Sequence, residues 1–171
     1  MTKSPAKTNA ARLLDRAGIA YELIPYEVDE NDLAATHVAE SLGEDISRVF
    51  KTIVLRIEPG NGHIVCVLPG DCEVDLKKAA KVASAKKVEP VKVSELLGLT
   101  GYIRGGCSPV GMKKPFPVIF HSTAPEYDFI YVSAGQRGLQ IKVDPKNLIA
   151  YTKAAVADIT SESCQDDQQH W

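Results

Sequence analysis

The spacing of apolar residues predicts five helices. Residues 5–18 have one apolar helix face, and Gly18 provides the carboxyl-terminal stop. That face consists of Ala10, Leu13, Leu14 and Ala17. A second helix is predicted over residues 32–42, closed by Gly43, and a third directly after Asp75, a favoured capping residue. Two shorter helices are predicted at the end of residues 87–98 and over residues 145–151.

Runs rich in β-branched residues predict the strands. The clearest run, FKTIVLRI at 50–57, is followed by the turn-rich PGNGH at 59–63 and by apolar IVCVLP, which together predict a hairpin. The other predicted strands are 19–24, the start of 87–98, 117–122, 129–135 and 139–143. Because strands follow one another through tight turns, the pattern predicts an α+β fold with a mixed, largely antiparallel sheet flanked by helices. One domain is expected over residues 3–160, with a flexible polar tail over 161–171.

Composition and charge narrow the class of protein. A chain of 171 residues has room for one well-buried core. The net charge of -2 and a pI near 6.1 exclude a protein that coats nucleic acid through net charge, but they allow a local basic patch. Such a patch is predicted on the helix after Asp75, from Lys77, Lys78 and Lys81.

The cysteines and histidines are too dispersed to predict a metal site. They are Cys66, Cys72, Cys107 and Cys164, and His37, His63, His121 and His170. No apolar leader and no run of membrane-spanning length is present in the sequence. We therefore expect reduced thiols, a cytoplasmic location and no metal, cofactor or membrane partner.

Lys51 is the first candidate site residue. It lies inside an apolar strand, where alternation places it on the same face as Ile53 and Leu55. Desolvating an unpaired ammonium on such a face is costly. Two interpretations remain open: an edge-strand lysine that reaches solvent, or a pocket cation that binds a ligand carbonyl or phosphate.

A glycine-containing loop, YIRGGCSPVGMKK at residues 102–114, is the second candidate. The backbone at Gly105 and Gly106 can approach a ligand closely, and N–H groups in such a loop can bind an oxyanion. Pro109 restricts the turn that follows. The alternative is a plain tight connection. The spacing does not match a phosphate-binding P-loop.

A third loop, SAGQRG at residues 133–138, joins two predicted strands, and the three segments together could form one concave site. An enzyme nucleophile is harder to identify. Cys107 lies near basic residues but has no evident histidine partner, and Ser108 and Ser133 lack a GxSxG elbow. His37 is interpreted as a surface or half-buried histidine rather than a general base.

Five segments occur in a recognisable order along the chain: VFKTIV around Lys51, DLKKAAK at 75–81, KKVE at 86–89, TGYIRGGCSPVGMKK at 100–114 and YVSAGQRGLQI at 131–141. In this order they resemble the YbaK family of free-standing Cys-tRNA(Pro) deacylases. The resemblance covers about residues 5–159 and extends to the editing domain of bacterial prolyl-tRNA synthetases. It implies an α+β fold with a curved mixed sheet and no metal.

The resemblance also implies site residues. The family's essential lysine corresponds to Lys51, and its GxxxP loop to Gly105–Pro109, with Gly105 and Gly106 as catalytic backbone donors. Its substrate-binding positions correspond to Tyr26, Pro109, Ser133 and Gly135. Two positions depart: Gln140 stands where relatives carry an acid, and Ala34 where they carry an aromatic residue.

The mechanism implied by the resemblance needs no enzyme nucleophile. The thiol of the esterified cysteine attacks its own carbonyl, and the enzyme supplies orientation and electrostatics. Expected partners are aminoacyl-tRNA, with Cys-tRNA(Cys) as a second substrate, and a transient complex with prolyl-tRNA synthetase, but no DNA. The alternatives are a deacylase for another charged tRNA, such as Ala-tRNA(Pro), and a non-catalytic tRNA- or synthetase-binding module.

Overall fold

The computed structural model describes residues 6–161. The helices are α1 Asn9–Arg16, α2 Ala35–Leu42, α3 Leu76–Val82, α4 Val93–Thr100 and α5 Pro145–Thr152. The strands are β1 Tyr21–Pro25, β2 Phe50–Glu58, β3 His63–Pro69, β4 Lys87–Pro90, β5 Val118–His121, β6 Ile130–Gln136, β7 Leu139–Val143 and β8 Ala155–Ala157. The α+β class is confirmed, while most of the predicted tail lies outside the described residues.

Local sequence signals explain most element boundaries. The first helix begins at Asn9 rather than near Pro5, because the Thr8 side chain accepts a hydrogen bond from Ala11 N–H and caps it there. Its buried side includes Ala11, whereas Ala17, predicted to face inward, is exposed. The predicted cap is confirmed at α3, where the Asp75 side chain accepts from Lys78 N–H.

The strands form two sheets rather than one. A three-stranded antiparallel sheet has the order β1–β7–β6, and a five-stranded mixed sheet has the order β4–β2–β3–β5–β8. The predicted β2–β3 hairpin is confirmed, while β3–β5 and β5–β8 are parallel. Strand β8, which the sequence pattern did not predict, pairs at the edge. An isolated parallel bridge from Val49 to Tyr131 connects the sheets.

The five-stranded sheet is buried on both faces, which explains the continuous apolar run of β3. Val65 and Val67 pack into a large core that also contains residues of the three-stranded sheet, α1 and α5. The alternate residues Ile64, Cys66 and Leu68 pack into a second core beneath α3. Because successive side chains of a strand point to opposite faces, both sets must be apolar.

One part of β2 remains open, and this opening positions the site. Strand β3 pairs with β2 from Phe50 to Arg56, but β4 pairs only with Leu55 to Glu58. Among the described residues, the first half of β2 therefore has no ladder partner on the β4 side beyond the bond from Val91 N–H to Val54 O. Lys51 lies in this half.

Candidate functional site

A cavity of about 540 Å³ lies beside the open half of β2. Its lining comes from six parts of the chain: residues 33–38 at α2, residues 49–54, the turn after β3, residues 90–96 leading into α4, the glycine-containing loop, and strands β6 and β7. Lys51, Gly105 and Ser133 all contribute to the lining, so the three segments singled out in the sequence meet at one cavity.

Lys51 is half-buried and carries a free ammonium. It pairs with Leu68 across the hairpin, and its side chain has no hydrogen bond or ion pair with any described residue. Glu73 is the acidic residue in the lining and is exposed. Lys51 therefore lies at an open strand edge and also lines a cavity, so the structure is compatible with either interpretation. An unpaired cation there can bind a carbonyl or phosphate oxygen.

The glycine pair of the loop has two different environments. Gly105 has a φ of +86° and lines the cavity, and its N–H has no acceptor among residues 6–161. Gly106 is buried, and its N–H donates to Ile103 O at 2.9 Å. A side chain at Gly106 would begin 3.1 Å from Gln136 Cα. The prediction of Gly106 as an oxyanion donor therefore does not fit, because its amide is already engaged and its role is close packing.

Arg137 holds this loop in place, a role that the sequence did not indicate. Its Nε donates to Arg104 O at 2.9 Å, and its Nη1 lies 2.6 Å from Glu30 Oε2. The guanidinium thus joins the β6–β7 turn to the glycine-containing loop and to the segment before α2. Residues so far apart in sequence give no local pattern that would reveal this contact.

Two buried acceptors in the cavity lining lack partners. Gln140 is 5% exposed, and its Oε1 makes no hydrogen bond with a described residue. Thr52 Oγ1 is also buried and unpartnered. Ser133, which pairs with Gln140 across β6–β7, is partly satisfied because its Oγ accepts from Gly135 N–H at 3.1 Å. Buried polar atoms without partners are uncommon, and both residues belong to the cavity lining.

Cys107 lines the cavity as a thiol. Burial raises its pKa to about 12, and the hydrogen bond from Thr100 only partly opposes this effect. Within the described part of the chain, the lining contains no histidine that could take its proton. The half-buried His37 lies near Ser41 and Asp32 instead. The arrangement therefore gives no support to an enzyme thiolate.

Three predicted substrate-binding residues do not line the cavity. Tyr26 packs in the cluster around α2, and its N–H donates to Gly138 O. Pro109 is buried, and a side chain at Gly135 would begin 2.9 Å from Tyr102 Cε1. The sequence pattern could not distinguish these residues from lining residues, because chain neighbours in a turn point in different directions.

The remaining lining is apolar near α2 and basic near α4. Ala34 and Leu33 lie on the α2 side, and Lys92 and Arg104 on the other. One lysine of the basic face predicted on α3 is already paired within the protein. Lys78 Nζ lies 3.0 Å from an Asp158 carboxylate oxygen and donates to Thr160 O at 2.8 Å.

Residues 6–161 contain no group of three or more His, Cys, Asp or Glu placed to hold a metal ion. Over the same range, no helix combines the length and apolar character needed to cross a bilayer.

Solved structures with the same fold are known. A structure described as hypothetical protein APE2540 has a TM-score of 0.80 at 22% identity, covering 88% of this chain and 97% of the other. A protein assigned as a trans-editing enzyme for prolyl-tRNA synthetase has a TM-score of 0.77 at 24% identity, covering 91% and 99%.

Sequence comparisons add closer relatives. EbsC of Enterococcus faecalis, assigned as a Cys-tRNA(Pro)/Cys-tRNA(Cys) deacylase, is 44% identical over 160 residues, covering 94% of this chain and 97% of EbsC. The proline–tRNA ligase of Cupriavidus necator is 32% identical over 113 residues, which cover 65% of this chain and 20% of the ligase. The family model described as the aminoacyl-tRNA editing domain matches residues 30–151. These matches confirm the resemblance seen in the sequence, and they show that the chain belongs to the aminoacyl-tRNA editing domain family.

Proposed function

We propose that this protein is an aminoacyl-tRNA deacylase that hydrolyses Cys-tRNA(Pro), and also Cys-tRNA(Cys), in the cytoplasm. The observation that carries the proposal is a single cavity lined by Lys51, Gly105, Thr52 and Gln140. Among residues 6–161, the Lys51 ammonium, the Gly105 N–H and the buried side-chain oxygens of Thr52 and Gln140 have no hydrogen-bond partner. An aminoacyl ester offers matching groups: a carbonyl oxygen for the donors and an α-ammonium for the acceptors.

The chemistry follows from what the cavity contains and what it lacks. With Cys107 protonated and no histidine in the described lining, the cysteine sulfur of the substrate is the better nucleophile. It bonds to its own carbonyl carbon, the bond to the tRNA ribose oxygen breaks, and that oxygen takes the thiol proton. The products are a cyclic thiolactone, which water opens, and free tRNA.

Each site residue then has a separate role. Lys51 binds the carbonyl oxygen or the phosphate of the terminal nucleotide, and Gly105 N–H donates to the oxyanion as it forms. Gln140 Oε1 and Thr52 Oγ1 accept from the α-ammonium group, which orients the ester for attack. Ser133 also lines the cavity and pairs with Gln140 across β6–β7.

A transient complex with prolyl-tRNA synthetase is part of the proposal. The similarity to a segment of a proline–tRNA ligase supports it, because that ligase carries a comparable domain within its own chain. A separate protein gains the same access to newly charged tRNA by docking on the synthetase.

The test measures amino-acid release by purified protein from tRNA(Pro) charged with cysteine, serine or alanine. Cysteine should be released fastest, and Ser-tRNA(Pro) should resist because a hydroxyl is a much weaker nucleophile than a thiol. Lys51→Ala should slow cysteine release at least tenfold, since a charge-assisted hydrogen bond contributes about 1.5–3 kcal/mol. Lys146→Ala removes an exposed lysine on α5, which does not line the cavity, and serves as the matched control.

Three results would count against the proposal. Equal release of serine and cysteine would exclude the thiol-assisted mechanism, and preferential release of alanine would point to a different deacylase. If the purified protein releases none of the three amino acids, the binding-module alternative replaces catalysis.

A further inference from the structure

The outer face of α4 carries an unusual concentration of exposed apolar side chains. Val93 is 62% exposed and Leu97 56%, one helical turn apart on the same face, and Ile103 in the following loop is 47% exposed. Two other large apolar residues are exposed among the described residues, but less so: Leu76 at 37% and Val156 at 43%, both on other elements. Leu96 and Thr100 face inward instead.

This face begins at the rim of the cavity. Lys92, Val93 and Leu96 line the cavity from the start of α4, and Arg104 and Gly105 line it from the loop after the helix. The exposed patch formed by Val93, Leu97 and Ile103 therefore continues outward from the cavity. A ligand that leaves the cavity beside Val93 would meet the patch.

Cationic side chains border the same patch. Lys92 and Arg104 lie at the cavity rim, and Lys113 N–H donates to Thr100 O at 2.9 Å, so Lys113 and Lys114 stand at the far end of α4. All four side chains are exposed, and none forms an ion pair with a described residue. Glu95 is the acid in the first turn of α4. Four free cations are a strong local bias in a chain of net charge -2.

We propose that the Val93–Leu97–Ile103 patch binds the unpaired 3′ end of the RNA whose terminal nucleotide carries the ester. An unpaired strand presents flat apolar base faces and a phosphate at every nucleotide, and it must run outward from the cavity that holds the ester. Apolar side chains bordered by cations match that pattern. This inference rests on the proposed function, because it assumes that the ester occupies the cavity.

The RNA explains the arrangement better than a protein partner does. A protein interface would account for the apolar residues but would not require free cations at both ends of the patch. Nor would it require continuity with the cavity. A nucleotide chain requires both, because its phosphates and its esterified end are covalently connected.

The first experiment measures binding without catalysis. An RNA hairpin with a few unpaired 3′ nucleotides is compared with the same hairpin ending blunt, both uncharged, at fixed salt concentration. The wild-type protein should bind the hairpin with the unpaired end at least tenfold more tightly. The double variant Leu97→Ser/Ile103→Ser should lose this preference, since both residues are exposed and neither lines the cavity. Leu76→Ser/Val156→Ser is the matched control and should retain it.

The second experiment uses activity. The Leu97→Ser/Ile103→Ser variant should raise KM for Cys-tRNA(Pro) at least tenfold, yet change hydrolysis of the cysteinyl ester of adenosine less than twofold. The small ester lacks the upstream nucleotides and cannot reach the patch. An unchanged KM, or an equal loss on both substrates, would overturn the docking proposal.

The remaining outcomes separate the two proposals. If the wild type binds the unpaired end through the patch but hydrolyses neither ester, docking stands and the deacylase function fails. If the variant keeps full RNA binding but no longer binds purified prolyl-tRNA synthetase, the patch is a protein interface and the RNA assignment is wrong.

Discussion

Replacing Cys107 by alanine tests most directly whether the enzyme or its substrate supplies the nucleophile. Cys107 lies in the glycine-containing loop and lines the cavity, so its position alone would suit a nucleophile. Its protonation state does not. Burial raises the pKa of the thiol to about 12 from an ordinary value of 9.0. At pH 7.5 the thiolate fraction is then about 3 in 100,000, compared with roughly 3 in 100 for an ordinary thiol.

Because so little of Cys107 is thiolate, removing it should have only a small effect on the rate. An enzyme with an essential cysteine nucleophile loses on the order of 10³-fold or more when it is removed. For Cys107→Ala we expect the single-turnover rate of cysteine release from Cys-tRNA(Pro) to stay within about threefold of the wild type. Loss of the partly buried sulfur should lower the free energy of unfolding by about 1 kcal/mol.

The assay combines kinetics with chemical modification. Rates are measured from pH 6.5 to 8.5 for the wild type, Cys107→Ala and Cys107→Ser, and thermal melting confirms that the variants fold. In parallel, iodoacetamide labelling of the native wild type is followed by mass spectrometry, and Cys107 should react slowly across this range. A loss of about 100-fold or more in a folded Cys107→Ala variant, with rapid alkylation of Cys107 in the wild type, would refute the reasoning.

Two further predictions concern stability. A methyl group at Gly70 would overlap Ala35 Cβ at the start of α2. Gly70→Ala should therefore lower the free energy of unfolding by about 1–3 kcal/mol, measured by urea denaturation. An unchanged denaturation midpoint would contradict this packing. Burial lowers the pKa of His121, whose Nδ1 accepts from Ile159 N–H, despite the nearby Asp158. The unfolded chain then binds the proton more readily, so stability should fall as pH drops below about 6.5 and level off beneath the lowered value. His121→Asn keeps an acceptor but does not titrate, so its melting temperature should decline less from pH 7 to 5; an equal decline would exclude His121 as the cause.

The sequence by itself determined the fold class and most elements, because their signals are local. The Asp75 cap, the apolar run of β2 and the turn at 59–63 each act within a few residues, and the structure has the helix and hairpin that they predict. Strand β8 escaped prediction because Ala155–Ala157 has no distinctive pattern of its own. It is a strand only because the edge of β5 is available for pairing.

The candidate site likewise has features that the sequence predicts and features that depend on tertiary contacts. Lys51 could be selected from sequence because a lysine within an apolar strand is a local anomaly. The different environments of Gly105 and Gly106 could not be predicted from sequence. They depend on which of the two N–H groups donates to Ile103 O in the folded loop.

Only the tertiary structure decided which residues share the cavity. Arg137 joins segments more than thirty residues apart along the chain, and no sequence spacing encodes that contact. The protonation state of Cys107 likewise depends on burial that only the packed loop creates. Local chemistry thus specified the elements and one cation, Lys51. The packing between distant segments brought Gly105, Thr52 and Gln140 to the same cavity, each with a polar atom that lacks a partner among residues 6–161.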